Sequence, residues 1–292
     1  MLVLGGTGLL GHATAAELTR RGRPYAAPPR ANFDLADLAS LPARLDAFAP
    51  AAILNLSGFT DVGAAERPEN HRMAALLNGE LPGALADYGA RRRIPFVHVS
   101  TDYVFDGTKR TPYLETDPVH PLQVYGATKL DGENAVLAAN PAALILRVST
   151  LYGPGRAHRP AYVDAILAQA KTHAAAGGGT VSVVEPPVSS PTYAPDVAPA
   201  LIELLDRGVA GLVHTVNDGA ASRLELATAT VALAGFADRV QVAARPEPPN
   251  TLARPMYSVL DTSKLAASIG RRLPPWDDAL ARYIGEMSRV EG

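Results

Sequence analysis

Tyr125 and Lys129 stand four residues apart in "VYGATK", a spacing that on a helix places both on one face, one turn apart. Lysine is scarce in this chain, at positions 109, 129, 171 and 264, so a lysine beside a tyrosine is chemically pointed. A phenol titrates near 10 and exchanges protons poorly at neutral pH. An ammonium one turn away favours the phenolate and lowers that value. Such a tyrosine can pass a proton to a carbonyl oxygen while a hydride reaches the carbonyl carbon. A further hydroxyl, Thr101, follows Ser100 at the end of the apolar run in "PFVHVSTDYVFDG" and could polarise the same oxygen. The same "STDY" also reads as a Ser/Thr/Asp turn.

Chemistry of that kind needs a hydride source, and the N-terminus offers a place for one. "MLVLGGTGLLG" sets Gly5, Gly8 and Gly11 in a G-x-x-G-x-x-G series between an apolar run and a helical stretch. Backbone without Cβ lets amide N–H groups approach a pyrophosphate at the positive end of a helix, with Thr7, Leu9 and Leu10 in the same turn. An ordinary tight turn would use the same glycines, but the place, first strand and first helix of an alternating chain, favours a dinucleotide. "RPYAAPPRANFDLADL" lacks the strand-end acid that binds the ribose 2′-hydroxyl of NAD. Arg30 stands there and could accommodate the 2′-phosphate of NADP, although among 23 arginines a surface role fits as well. Asp34, followed by Leu35, either faces the adenine amino group or caps the next helix. NADP, as NADPH, is the expected cofactor, with NAD the alternative. Ser57, just past the apolar run at 51–55, joins the expected cofactor-binding set.

The elements that must hold these groups alternate. Apolar runs at 1–4, 51–55, 94–99 and 142–148 have the length of buried strands, and helical spacing fills 9–22, 36–48, 65–91 and 125–139. Strand following helix over 150 residues implies an α/β fold, a parallel sheet doubly wound by helices. Open sheets of this kind put ligand-contacting groups at the carboxyl ends of their strands, where Thr101 falls. Beyond residue 150 the order loosens into helical stretches at 160–175, 195–207, 222–235 and 277–287 and short strands near 180–184 and 211–216. "AAAGGG" (174–179) and "ARPEPPN" (244–250) read as irregular connections. The expected division is 1–175 for the cofactor domain, with contributions near 195–216, and 176–292 mainly for a smaller, irregular substrate region.

Composition narrows the function classes. The 292 residues carry a net charge of −2, which gives no basic field for nucleic acid or a membrane surface. No cysteine is present, so thiolate catalysis, disulfides and cysteine-ligated metal are excluded and a reducing, cytoplasmic setting is expected. No apolar run reaches the roughly 20 residues of a membrane span, and the N-terminus is too short before its glycines for a signal peptide. The abundance of Arg, Pro and Ala reads as compositional bias. His98 sits mid-strand as a core histidine. His158 and His173 lack partners at ligand spacing, so no metal site is expected.

In this order, the glycine loop, the strand-end hydroxyl and the Tyr/Lys pair resemble the extended short-chain dehydrogenase/reductases. Within them, "STDYVFDG", "PYLETDPVHPLQVYGATKLDGE" and "ILRVSTLYG" are most similar to the dTDP-4-dehydrorhamnose reductases. "AERPENHRMAALLNGELPGALA", "SSPTYAPDVA", "ARPMYSVLDTSKL" and "LPPW" extend the resemblance over nearly the full length. It implies a Rossmann-type domain and a C-terminal region closing over a nucleotide-diphosphate sugar. It also implies the activity: hydride transfer from NADPH to the C4 carbonyl of a 4-keto-6-deoxy sugar, as in dTDP-rhamnose biosynthesis. Thr101, Tyr125 and Lys129 fall on the catalytic positions, and Asn78 on an asparagine of the cofactor side. Thr60, Asp102, Tyr103, Val104, Thr150 and Arg254 fall in the implied substrate set. Arg254 offers a guanidinium fork to phosphate oxygens, and Arg156 and Arg159 are weaker candidates. For Asp102, orienting a sugar hydroxyl and capping a turn remain equally open.

Three departures put the particular sugar in doubt. "NLSGFTDVGAAE" has Gly63 where the resemblance leads one to expect aspartate, with Asp61 two residues earlier. Thr150 replaces a tryptophan, and "EPPV" lacks the usual glutamine. Two other activities stay open: an epimerase or dehydratase of the same extended family, and a non-catalytic regulatory subunit similar to the β subunit of methionine adenosyltransferase. Dehydratases place an acidic pair after the strand-end threonine, whereas here Asp102 is followed by Tyr103. The oligomeric state is left open, a homodimer included.

Overall fold

The computed structural model describes residues 1–155, 160–185, 187–248 and 251–291. Its strands are β1 (Leu2–Leu4), β2 (Ile53–Asn55), β3 (Phe96–Thr101), β4 (Leu144–Val148), β5 (Leu151–Tyr152), β6 (Gly179–Val184), β7 (Val188–Ser189), β8 (Thr192–Tyr193), β9 (Gly211–His214), β10 (Ala221–Ser222) and β11 (Val240–Arg245). The helices are α1 (Leu9–Arg20), α2 (Leu41–Phe48), α3 (Val62–Ala65), α4 (Pro68–Ala75), α5 (Leu81–Arg92), α6 (Val124–Ala139), α7 (Tyr162–Ala175), α8 (Ala194–Asp206), α9 (Arg223–Leu233), α10 (Ser263–Ile269) and α11 (Trp276–Glu291). A π-helical segment, Leu76–Glu80, joins α4 to α5.

Five strands form one parallel sheet in the order β1-β2-β3-β4-β9. Alternation along each strand sends side chains to two covered faces, which is why the runs are apolar throughout. Val3, Leu54, Val97 and Leu146 meet Leu10 and Leu18 of α1 and Val197 and Leu201 of α8. Leu4, Ile53, Phe96 and Ile145 meet Leu45 of α2, Leu85 of α5 and Val136 of α6. Each such side chain contributes about 1.5–3 kcal/mol on burial. Helices on both faces of a parallel sheet make this the doubly wound α/β architecture that the alternating pattern predicts.

Local chemistry explains where the elements differ from the pattern. The region expected to hold a second strand contributes only a bridge, in which Ala26 donates to Met1 O and accepts from Val3 N. Pro24, Pro28 and Pro29 flank it and supply no N–H to a ladder. Residues 36–40 do not join α2, because Asp37 accepts from both the backbone and the hydroxyl of Ser40 and closes a turn. The 65–91 stretch breaks before Pro68, where Arg67 is extended. β11 continues to Arg245, into a stretch read as irregular, and α10 was not anticipated.

β6 and β11 pair in parallel beside α7 and α9. α11 closes a second cluster over Tyr152, Tyr193, Tyr283 and Ile284. A loop from this half returns toward the β3–α6 connection: Ser258 N donates to Val188 O of β7, Tyr113 N to Val259 O and Asp261 N to Tyr113 O. That return brings Arg254 and Ser258 to the carboxyl end of β3.

Candidate active site

The glycine turn leaves β1 under tight constraint. Gly5 has φ +81°, and a Cβ there would lie 2.7 Å from the Leu56 backbone. A Cβ on Gly11 would stand 2.0 Å from Gly5 O, so α1 packs against its own entry loop only with glycine there. Gly8 occupies the N-cap of α1 and makes no side-chain capping bond to the first turn, where Leu9 and Leu10 begin the helix. Thr7 is exposed. These features fit a pyrophosphate lying on the loop.

The neighbours of that loop are the other expected cofactor residues. Gly6 packs against Ala27, from which the chain runs to exposed Arg30. Asp34 accepts from Ala36 N and so closes its own turn, well before α2 starts. Arg44 pins this segment through Asp34 O, and Leu35 packs on the core. Ser57 donates to Asn55 Oδ1 at 2.6 Å. Asn78 sits on the π-helical segment with its amide fully engaged: Oδ1 accepts from Phe59 N, while Nδ2 donates to Phe59 O and to Thr128 Oγ1. It clamps the 56–59 loop to α6, the helix that carries Tyr125 and Lys129. A Cβ at Gly58 would be 2.8 Å from Asn78 Oδ1 and 3.9 Å from Lys129 Nζ, so this loop passes directly over the lysine.

α6 is fixed at its start by two side chains. Gln123 accepts from Gly126 N as N-cap, and Glu66 accepts from Val124 N at 2.6 Å. Tyr125 therefore sits in the first turn and Lys129 one turn on. Burial pushes the Tyr125 phenol above its ordinary value, with a Thr101 hydroxyl hydrogen bond pulling it back and Asp102 and Tyr103 raising it further. The lowering by Lys129 that the four-residue spacing predicts is not found: the groups acting on the phenol are its burial, Thr101, Asp102 and Tyr103. Lys129 donates to Val99 O at 2.5 Å and lies 3.3 Å from His98 Nε2. Burial lowers its pKa to about 8, against the opposing charge of Glu133.

Thr101 ends β3, accepts from Tyr103 N and donates to Asp102 Oδ1 at 3.1 Å. Asp102, 5% exposed, also takes Ser149 Oγ at 2.8 Å and Ser258 Oγ at 2.6 Å on Oδ2. Its carboxylate ties the ends of β3 and β4 to the returning C-terminal loop. Burial raises its pKa and the three hydroxyls oppose this. Tyr103 meets Tyr125 edge to face, with centroids 5.8 Å apart, and accepts from Arg254 Nη1 at 3.2 Å. Val104 is buried in a small cluster with Phe105 and Leu260. Thr150 has φ +39°, an uncommon backbone for a β-branched residue, and shares a hydrogen bond with Ser189 Oγ. Thr60 is exposed. Arg156, His158 and Arg159, and Pro186 of "EPPV", lie outside the described residues. His173 packs on Gly179.

Several residues of the site are not marked by any motif. Arg223, at the start of α9, lies over the Tyr162 ring at 5.7 Å, and the nearby Arg254 charge adds to burial in lowering its pKa. Neither arginine forms an ion pair with a carboxylate among the described residues. Two guanidinium groups this close, flanked by Tyr103 and Tyr162, suit a doubly charged anion. Asn55 and His98 on neighbouring strands hydrogen-bond beneath Lys129. Near Arg223 the sequence showed only the helical stretch at 222–235, which the structure starts with a Ser222–Glu225 capping box. The assembled groups are a phenol, a hydroxyl, a lysine of lowered pKa, a glycine turn and two guanidinium groups. That set can reduce a carbonyl on a phosphorylated substrate.

The relationships of the whole chain agree with this geometry. Residues 1–289 match the family model of the RmlD substrate binding domain. The chain is similar to the dTDP-4-dehydrorhamnose reductase of Mycobacterium tuberculosis, with 36% identity over 97% of this chain and 92% of that one. It is also similar to the dTDP-4-keto-6-deoxy-D-glucose reductase of Streptomyces niveus, with 36% identity over 89% and 87%. Among solved structures, dTDP-4-dehydrorhamnose reductase from Bacillus anthracis in complex with NADP superposes with a TM-score of 0.88 at 25% identity, covering 98% of each chain. The chain belongs to the RmlD substrate-binding domain family of extended short-chain dehydrogenase/reductases.

Proposed function

We propose that this protein is an NADPH-dependent reductase of a nucleotide-diphosphate 4-keto-6-deoxy sugar. The observation that carries the reading is the convergence of Tyr125, Thr101 and Lys129 at the carboxyl end of β3, beside the loop that spans the glycine turn and Asn78. NADPH, when bound, supplies the hydride. The glycine turn and the start of α1 would hold its pyrophosphate, and Arg30 its 2′-phosphate. Arg254 and Arg223 hold the sugar diphosphate. Tyr125 gives its proton to the nascent C4 alkoxide. Thr101, turned from Asp102, hydrogen-bonds the same oxygen, and Lys129 holds the nicotinamide ribose and returns a proton to Tyr125.

The occupied state of Asp102 argues against a dehydratase, because the Ser149 and Ser258 hydroxyls claim the carboxylate that would act as acid even when Thr101 turns to the substrate. The relatives reduce more than one 4-keto sugar, so the sugar follows from the departures. Thr150, smaller than the expected tryptophan, widens the pocket beside Ser189, and Gly63 is exposed. A 4-keto sugar other than dTDP-4-keto-rhamnose is therefore the preferred substrate. A cytoplasmic homodimer completes the proposal.

An NADPH-consumption assay against a panel of nucleotide 4-keto-6-deoxy sugars tests it. Turnover with at least one, and a kcat/KM for dTDP-4-keto-rhamnose below that of a stereoisomer, is expected. No turnover across the panel would favour a regulatory subunit. Strong preference for dTDP-4-keto-rhamnose would make the departures neutral.

A further inference from the structure

Beneath Lys129 lies a buried polar chain that the reaction as described does not use. It runs from the 56–59 loop through two strands: Ser57, Asn55 on β2, His98 on β3, then Lys129 of α6. Asn55 and His98 are fully buried and paired in register. We propose that Asn55 and His98 are positioning residues for the proton of Lys129: Asn55 holds the His98 ring in the tautomer protonated at Nε2, and that N–H stabilises the lysine as its neutral amine. This rests on the reductase reading.

Each hydrogen-bond direction follows from the one before. Ser57 N–H can only donate, and it points at Asn55 Oδ1 at 3.3 Å, joined there by Ser57 Oγ at 2.6 Å. The other end of the amide is therefore NH₂, which can only donate, and it faces His98 Nδ1 at 3.2 Å. The ring is neutral, because burial and then the Lys129 charge hold its pKa well below the ordinary value, the Asn55 backbone carbonyl opposing. With Nδ1 accepting, the ring proton sits on Nε2, 3.3 Å from Lys129 Nζ. An ammonium has only donors, so it meets that N–H unfavourably. A neutral amine has a lone pair for it and still gives one hydrogen to Val99 O.

The arrangement matters when Tyr125 has given up its proton. Ammonium and phenolate then become amine and phenol: one Lys N–H bond breaks, one Tyr O–H bond forms, and charge is conserved. The amine left behind is the species that His98 stabilises, and solvent protonates it before the next cycle. Among the described residues, Glu133 and Tyr125 of its own helix and His98 of β3 are the ionisable groups placed with Lys129, while the loop brings Gly58 beside it and the π-helical segment Asn78. Glu133 is itself held by Arg147 of β4.

Two measurements test this. Long-range ¹H–¹⁵N correlation on protein labelled in its seven histidines, with His98 assigned by the His98→Gln variant, reads the tautomer directly. Protonation at Nε2 is expected, and protonation at Nδ1 overturns the proposal. In turnover, the alkaline limb of kcat should lie near 8 in the parent. His98→Gln offers an amide oxygen to the ammonium, so the limb should move up by about one to two pH units. A rate that falls equally at every pH, with the limb unmoved, is what a purely structural histidine would give and also overturns it. Absence of turnover in the parent would instead count against the reductase reading, and the tautomer would then decide this proposal alone.

Discussion

Removing Glu133 should unsettle the helix that carries the reacting groups. Glu133 lies one turn beyond Lys129 on α6 and meets Arg147 of β4 through two bonds, at 2.8 and 2.6 Å. Both side chains are 2% exposed, and Arg147 also lies over the Phe105 ring at 5.1 Å. In Glu133→Ala the guanidinium stays buried with two more donors unmet, beside an Nη1 that already lacks a partner. Hydrogen bonds to charged groups are worth about 1.5–3 kcal/mol each, so two give about 3–6 kcal/mol. Breaking a buried pair by removing one partner costs about 3–5 kcal/mol. At about 2–4 °C per kcal/mol, the melting temperature should fall by about 6–20 °C. The paired change Glu133→Leu with Arg147→Met should recover most of that loss, because no charge is left buried. Calorimetry of the parent, the single and the double variant provides the measurement. A single variant within about 1 kcal/mol of the parent, or a double variant less stable than the single one, would refute the reasoning.

Other consequences follow from the same site. Tyr125→Phe should keep NADPH binding and lose about 10²–10⁴-fold in kcat, read by fluorescence titration beside steady-state kinetics. Near-normal turnover would remove Tyr125 as proton donor. Lys129→Met bears on stability as well as rate, because the folded pKa of about 8 lies below the ordinary 10.5. The burden of charging this buried lysine is fully present below pH 8 and fades as pH rises toward 10.5. The variant should therefore melt higher relative to the parent at pH 7 than at pH 10, and an equal difference at both would contradict the cited shift. Arg30→Ala should weaken NADPH about tenfold and leave NADH unchanged by titration, if the guanidinium meets the 2′-phosphate. Equal affinities in parent and variant would mean an idle arginine.

What was legible in the sequence is local. The glycine turn and the Tyr125–Lys129 spacing are encoded within one or two helical turns, so their residues announce themselves. The apolar runs gave strand positions to within a few residues because both sheet faces are covered. The strand expected before Arg30 shrinks to a single bridge because Pro24, Pro28 and Pro29 remove donors, a fact visible in the sequence. Asp102 was ambiguous because its partners, Ser149 and Ser258, lie 47 and 156 residues away. Arg223, Asn55 and His98 gain their roles from long-range register, which no spacing rule carries. His98 did read correctly as buried, but burial alone does not say what its ring faces.

The central claim is that a hydride reaches the sugar C4 carbon while Tyr125 supplies the proton. NADPH carrying deuterium at the transferring position of its nicotinamide, turned over with an accepted nucleotide 4-keto-6-deoxy sugar, tests this in one product spectrum. The account predicts deuterium at C4 of the product, with its formation lost in Tyr125→Phe. Deuterium at another carbon, product without deuterium, or unchanged formation in Tyr125→Phe would contradict it.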